Sequence, residues 1–234
     1  MHFVYLIAAY NEREILPQLV QKFEAFTARK ISFQVYVLDN ASTDGSFKLL
    51  TELASTRPWL RPVLIAEKGL GIAFKRGLEL LRQEKIVGES WIIFNAADLP
   101  FNFTDLDSFL LANKMNPDCE LFIGSKYHPN SKIQRSFKRW LGSQIFYLLR
   151  VIVLQLTVKD TQGTLFLKAA HIYNLKSIAA NDYFFTTELI YNLKTKTTIT
   201  ELPIVYEESS RPSSVHLLKD GYRSLKQLIK LRLG

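Results

Sequence analysis

The sequence predicts an α/β domain built on a mostly parallel sheet with helices on both faces. Three observations predict it. Short apolar runs alternate with helical patterns through the first half, the links between them are short, and every apolar run is followed by a polar, turn-forming loop. In open sheets of this kind ligands gather at the carboxyl ends of the strands, so those loops are where chemistry is sought.

Residues 3–9 read as a buried strand, and 14–28 as a helix with its stripe at Ile15, Leu19, Val20, Phe23 and Phe26. Residues 33–38 are β-branched and aromatic, a second strand; 47–53 read as helix, 63–66 as strand, 72–83 as helix and 91–94 as strand. In the second half, 121–125 reads as a strand, followed by a basic segment at 132–139 and an apolar helix over 144–156. A turn at 160–164 leads into segments at 165–172 and 183–193, a strand at 198–205 and a final basic helix from about Val215. No repeat, low-complexity tract or long linker interrupts the chain, which predicts one domain over 1–234.

Hydrophobic residues at 47% against 22% charged ones supply enough apolar surface for a folded core. The net charge of +8 suits either an anionic partner, which could be nucleic acid, lipid headgroups or a phosphorylated substrate, or a plain solvated basic face. No helix-turn-helix, zinc-finger or RNA-recognition pattern appears, so a nucleic-acid role is set aside. Cys119 stands alone, which excludes an internal disulfide and a cysteine zinc cluster and fits a reducing, cytosolic setting. His2, His128, His171 and His216 lack ligand spacing. The N-terminus has no basic region ahead of its apolar run, and 144–156 is interrupted by Arg150 and falls short of the ~20 residues of a membrane span. Neither a secretory signal nor a transmembrane segment is expected.

Four loops follow the first four strands: Tyr10-Asn11-Glu12, then Asp39 through Gly45, then Glu67-Lys68-Gly69-Leu70-Gly71, then Asn95-Ala96-Ala97-Asp98. Asp39 can accept hydrogen bonds from a ribose or base. It can equally join Ser42 and Asp44 in capping the helix that starts near Ser46. The Lys68-Gly69 turn lets backbone approach a diphosphate at a helix start, or is an ordinary turn.

Taken together, Ala8-Ala9-Tyr10-Asn11-Glu12, Val37 through Gly45, and Lys68-Gly69-Leu70-Gly71-Ile72-Ala73, in that order, resemble the family-2 glycosyltransferases. More narrowly they resemble the branch of dolichyl- and polyprenyl-phosphate sugar synthases. The likeness extends to Gly124-Ser125-Lys126-Tyr127, to Asp160-Thr161-Gln162-Gly163 and to 207–214.

The resemblance implies a GT-A fold and inverting transfer of a sugar from a nucleoside-diphosphate donor to a polyprenyl phosphate at the cytosolic membrane face. About 1–120 would be the nucleotide-sugar half and about 121–234 the acceptor half. It implies Ala8, Tyr10, Glu12, Asp39, Lys68 and Gly69 around the nucleotide; Asp98, Asp160, Gln162 and Glu188 as catalytic; and Lys126, Arg139, Ser143 and Arg211 on the acceptor phosphate. Lys126 stands for a more usual arginine, and Thr186 for a common aspartate. Such enzymes hold Mg²⁺ or Mn²⁺ with an Asp-x-Asp motif after the fourth strand, but the first position here is Ala96. That leaves a weak metal site on Asp98, metal-independent transfer, or loss of turnover.

A phosphate acceptor is already a nucleophile at neutral pH, so cationic clamps matter more than a strong base. Two alternatives stay open: a soluble or protein hydroxyl acceptor, for which Asp160 or Glu188 would be the base, and a non-catalytic nucleotide-sugar binder. Near the C-terminus Leu218, Tyr222, Leu225 and Ile229 lie on one stripe with Lys219, Arg223, Lys226 and Lys230 around it. This pattern and the apolar 144–156 segment suit either a peripheral membrane surface or a packed core.

Overall fold

The structure, a computed structural model, describes residues 1–134, 137–207 and 217–233, with the side chains at 138, 139, 207 and 217–222 left out of the description. In chain order the first elements are β1 (His2–Ala9), α1 (Leu16–Thr27), β2 (Ser32–Asn40), α2 (Ser46–Ala54), β3 (Leu60–Ile65), α3 (Leu70–Gln83) and β4 (Trp91–Ala96). They are followed by α4 (Thr104–Met115), β5 (Leu121–Gly124), β6 (Lys132–Gln134), α5 (Phe137–Leu154), β7 (Leu165–Lys168), a 3-10 turn (Ala169–Asn174), α6 (Phe184–Leu193), β8 (Ile199–Leu202), β9 (Val205–Glu207) and α7 (Leu217–Leu233). They form two compact units, one of residues 1–100 and 164–182, the other of 101–163 and 183–234.

In the first unit the strand order is β3-β2-β1-β4-β7. β1 pairs in parallel with β2 on one side and β4 on the other, β3 extends β2 in parallel, and only β7 runs antiparallel, against β4. A strand flanked on both sides and covered on both faces is apolar throughout, and β1 is buried from Phe3 to Ala9. The predicted stripe of α1 is the face it buries: Leu19, Val20, Phe23 and Phe26 are all in the core. Phe23 meets the Tyr5 ring edge-on at 4.9 Å and Phe26 meets Phe33 edge-on at 5.1 Å, contacts worth about 0.5–1.5 kcal/mol each beyond area burial.

Register decides where the loops go. Ala9 lies opposite Asp39, Asn40 opposite Ile65, and Ala8 opposite Ala96, so four strands end together and their loops leave the same edge.

In the second unit β5 pairs in parallel with β8, and β6 with β9. Helix α4 is absent from the sequence reading. Its consecutive Phe109-Leu110-Leu111 blurs the helical period, since only Phe109 of the three is fully buried while Leu111 is exposed. Asp105 and Asp107 in its first turn suit the positive end of a helix. Helix α5 starts seven residues before Gln144, and Gln155, with φ of 52°, stops it before 156. The predicted strand at 198–205 divides at Pro203, which has no N–H for a ladder. Among the described residues no helix is long and apolar enough to cross a membrane.

Candidate functional site

The loops of the first unit are stitched to one another by side chains. Ser42 Oγ accepts from Asn11 N (2.9 Å), Asn11 Oδ1 accepts from Thr43 N (2.8 Å), and Ser46 Oγ accepts from Glu12 N (3.1 Å). Asn40 Oδ1 accepts from Gly69 N at 2.8 Å, which ties the third loop to the second. Asn11, Ala41 and Leu99 adopt left-handed φ of 52°, 62° and 45°. For alanine and leucine that conformation costs about 1–2 kcal/mol, so the surrounding contacts hold these loops in shapes that local preference opposes.

Asp39, near the end of β2, is 1% exposed. Its Oδ1 accepts from Ser42 N at 3.1 Å, while Oδ2 is buried with no hydrogen-bond partner. Buried polar atoms are nearly always paired, so this oxygen marks a place where a donor fits. Asp44, one residue before the Gly45 N-cap of α2, meets the first residue of the helix: its Oδ1 takes Ser46 N at 2.9 Å and Ser46 Oγ at 2.5 Å. Burial acts to raise the Asp44 pKa, but hydrogen bonds from Ser46 and Arg13 outweigh it and hold the carboxyl below its usual range.

Lys68 and Tyr10 meet directly, with Nζ 3.6 Å from the ring centroid. Ala8 is buried at the end of β1, and Glu12 is half-buried beside Ser46. The glycine turn departs from expectation. A Cβ on Gly69 would stand 2.5 Å from Asn181 O, one on Gly71 2.5 Å from Ala180 O, and Gly71 N donates to Asn181 O at 3.1 Å. These glycines admit the chain's own Ala180-Asn181 backbone at the start of α3.

At the end of β4, Asp98 is exposed and its own carbonyl accepts from Lys22 Nζ at 3.4 Å. Asn95 Oδ1 turns back to Ala96 N. With Ala96 beside it, Asp98 is the sole carboxylate of this loop, and among the described residues no three His, Cys, Asp or Glu side chains cluster as metal ligands. The donor set fits a divalent ion carried by a diphosphate and touched by one carboxylate, not a cage built by protein alone.

The second unit holds a pocket of about 150 Å³, to which Lys126, Ser143, Arg150, Asp160 and Gln162 all contribute. Asp160 is a buried member of its lining. Oδ2 accepts from Lys126 N (3.0 Å) and Lys126 Nζ (3.3 Å), and Oδ1 accepts from Gln162 N (2.9 Å). Burial alone would raise its pKa, but the Lys126 charge and these N–H groups hold it below the ordinary carboxylate value. Gln162 Nε2 donates to Tyr183 O at 3.0 Å. Gly163 packs so closely that an added Cβ would lie 1.7 Å from Gly124 O.

Arg150, passed over in the sequence as a mere interruption of an apolar run, is 2% exposed. Nη1 donates to Val158 O (2.7 Å) and Nη2 to Lys159 O (2.9 Å), while Glu201 accepts Lys159 N and Asp160 N at 3.2 Å each. Arginine and glutamate thus grip the loop before Asp160 from its two polar sides. An arginine inside an apolar helix, on the same helical face as the expected phosphate ligand Ser143, was the available signal.

Glu188 is buried on α6 and is not one of the pocket's lining residues. Arg139 lies on α5 with its side chain outside the described residues, and Arg211 lies outside them altogether. The 3.6-residue period sets Ser143, Phe146 and Arg150 on the pocket side of α5. On the opposite side Phe137, Leu141, Ile145, Leu148 and Ile152 are all exposed. Among the described side chains of α7, Leu228 is fully buried while Ile229 is exposed, so this helix is partly committed to packing.

Among solved structures, the chain is similar to glucosyl-3-phosphoglycerate synthase from Mycobacterium tuberculosis in complex with Mn²⁺, UDP-glucose and phosphoglyceric acid. The identity is 15% over 100% of this chain and 78% of that one, with a TM-score of 0.69. It is also similar to mannosyl-3-phosphoglycerate synthase from Rubrobacter xylanophilus, at 12% identity over 99% of this chain and 73% of that one, with a TM-score of 0.66. At such identities the likeness establishes the fold, a GT-A arrangement with a mostly parallel sheet. Residues 5–172 match the family described as Glycosyl transferase family 2, and with most of its length so matched the chain belongs to that family of nucleotide-sugar glycosyltransferases.

Proposed function

We propose that the protein transfers a sugar from a nucleoside-diphosphate donor to a polyprenyl-type lipid phosphate, with inversion at the anomeric carbon, from a peripheral position on the cytosolic face of a membrane. The observation that carries this reading is the two-faced helix α5. One face lines a pocket that also holds Lys126, and the other exposes a continuous apolar stripe. A lipid phosphate has the same two parts, an anionic head and an apolar chain.

On the donor side, Asp39 accepts a hydrogen bond from ribose or base through its unpaired Oδ2. Lys68 leaves the Tyr10 ring for the diphosphate, which frees that ring face for the base. On the acceptor side, Lys126 and Ser143 hold the phosphate. A phosphate oxygen attacks the anomeric carbon as the bond from that carbon to the donor diphosphate breaks, and the electron pair leaves with the nucleoside diphosphate. Mg²⁺ or Mn²⁺ carried by the diphosphate and touched by Asp98 would neutralise charge on that leaving group.

Asp160 is a poor base, because its oxygens already take three donors and its pKa is depressed. That favours an acceptor that needs no deprotonation over a neutral hydroxyl. A small soluble phosphorylated acceptor is the second reading, favoured by the phosphoglyceric acid bound in the mycobacterial enzyme of similar fold.

The test is transfer from UDP-glucose and GDP-mannose, with Mg²⁺, Mn²⁺ or EDTA, to a polyprenyl phosphate in detergent and to phosphoglyceric acid. Product on the lipid supports the first reading, product on phosphoglyceric acid alone replaces it with the second, and donor binding without any product identifies a non-catalytic member.

A further inference from the structure

Arg150 is set apart within its pocket. Its guanidinium lies 5.2 Å from the Phe146 ring and 5.6 Å from that of Tyr147, a setting that strips water from a charge. The Nη atoms are engaged by the carbonyls of Val158 and Lys159, but Nε is buried with no acceptor. Its neighbour Asp160 does not fill that need, since both carboxylate oxygens are committed to Lys126 and Gln162. Lys126, Lys159 and Arg150 thus face two carboxylates, Asp160 in the pocket's lining and Glu201 hydrogen-bonded to the loop before it. A cation kept in the interior with an unpaired donor, where three cations meet two carboxylates, is a site short of one anion.

We propose that Arg150 is the anchor for the acceptor's phosphate and the residue that makes the pocket select a phosphomonoester dianion. The inference rests on reading this pocket as the acceptor site. A phosphomonoester carries about −1.5 to −2 charges at neutral pH. Once glycosylated it becomes a phosphodiester with one charge, so a pocket built on excess cations holds substrate more tightly than product and releases what it has made. A neutral alcohol of the same chain leaves the guanidinium unpaired and is rejected.

The experiment compares binding of farnesyl phosphate, its methyl phosphodiester and farnesol by calorimetry, to the wild-type protein and to Arg150→Met and Arg150→Lys. Nucleotide binding serves as the control for folding. The wild type should prefer the monoester over the diester by about tenfold or more, the magnitude of one charged hydrogen bond. Arg150→Met should lower that ratio to below about threefold, and Arg150→Lys should keep most of it. A wild type that does not discriminate, or an Arg150→Met protein that binds nucleotide and still discriminates, overturns the proposal.

If Arg150→Met does not fold, the Nε–H resonance of Arg150, identified by its absence from Arg150→Lys, must move when inorganic phosphate is added to the wild type. A resonance that stays in place overturns the proposal as well. The two readings fail separately. Discrimination lost with Arg150 but no sugar transfer to polyprenyl phosphate removes the lipid-acceptor reading and leaves the anchor, whereas transfer with unaltered discrimination in Arg150→Met does the reverse.

Discussion

Lys126 meets Asp160 twice: its backbone N–H reaches Oδ2 at 3.0 Å, and its own ammonium returns to the same oxygen at 3.3 Å. One residue therefore fixes the carboxylate and compensates its charge. Because the Asp160 pKa is lowered on folding, its contribution is fully present above the unfolded value of about 3.8 and is lost as pH falls through the lower folded value. Asp160→Asn should flatten that acid limb. Urea midpoints of wild type and variant, measured from pH 7 down to pH 2.5, should converge below pH 4; parallel curves would show that the ion pair adds nothing.

Asp39 offers a cleaner separation of binding from stability. Removing a carboxylate with one unpaired buried oxygen should change the apo protein's stability by no more than about 1 kcal/mol, because the group already carries its desolvation cost. Nucleotide affinity should fall about 10- to 100-fold in Asp39→Ala, the loss of a charged hydrogen bond. Calorimetry of the free nucleoside diphosphates together with thermal melts distinguishes the two.

Restoring the missing carboxylate tests the metal motif. Ala96→Asp places a second oxygen donor two residues before Asp98 at an exposed strand end. Mn²⁺ affinity in the presence of nucleoside diphosphate should rise on the order of tenfold, with little change in its absence. Equal affinity in both proteins would mean that the ion is held elsewhere.

The outer face of α5 should govern lipid binding without governing stability. Leu148 and Ile152 are 56% and 74% exposed. Glutamate at both should shift thermal stability by no more than about 0.5 kcal/mol per site, as surface changes do. Each lost apolar contact with a bilayer is worth ~1.5 kcal/mol or more, so sedimentation with phosphatidylserine vesicles should weaken at least about tenfold. Unchanged sedimentation would sink the membrane-facing role.

Gly163 should tolerate no side chain. A Cβ there would sit 1.7 Å from Gly124 O, a backbone atom that cannot rotate away, so Gly163→Ala should cost about 3 kcal/mol or more and lower the melting temperature sharply.

The sequence by itself determined the alternation of strand and helix, the four loops after the strands and the family to which they point. Those features are local, written in periods of two and 3.6 residues and in turn chemistry that needs only near neighbours. Tertiary structure decided what no local period records. Register brought Asp39 opposite Ala9 and so gathered the loops at one edge. Gly69 and Gly71 face Asn181 and Ala180 across more than a hundred residues of chain, a packing contact that turn chemistry alone does not record. Helix α4 was hidden because its burial follows from neighbours and not from its own weak pattern. Arg150 was hidden most completely: on its own helix it is a charge breaking an apolar run, and its meaning comes from carbonyls eight and nine residues away and from Asp160 beyond them, where burial turns an exposed-looking cation into a desolvated one.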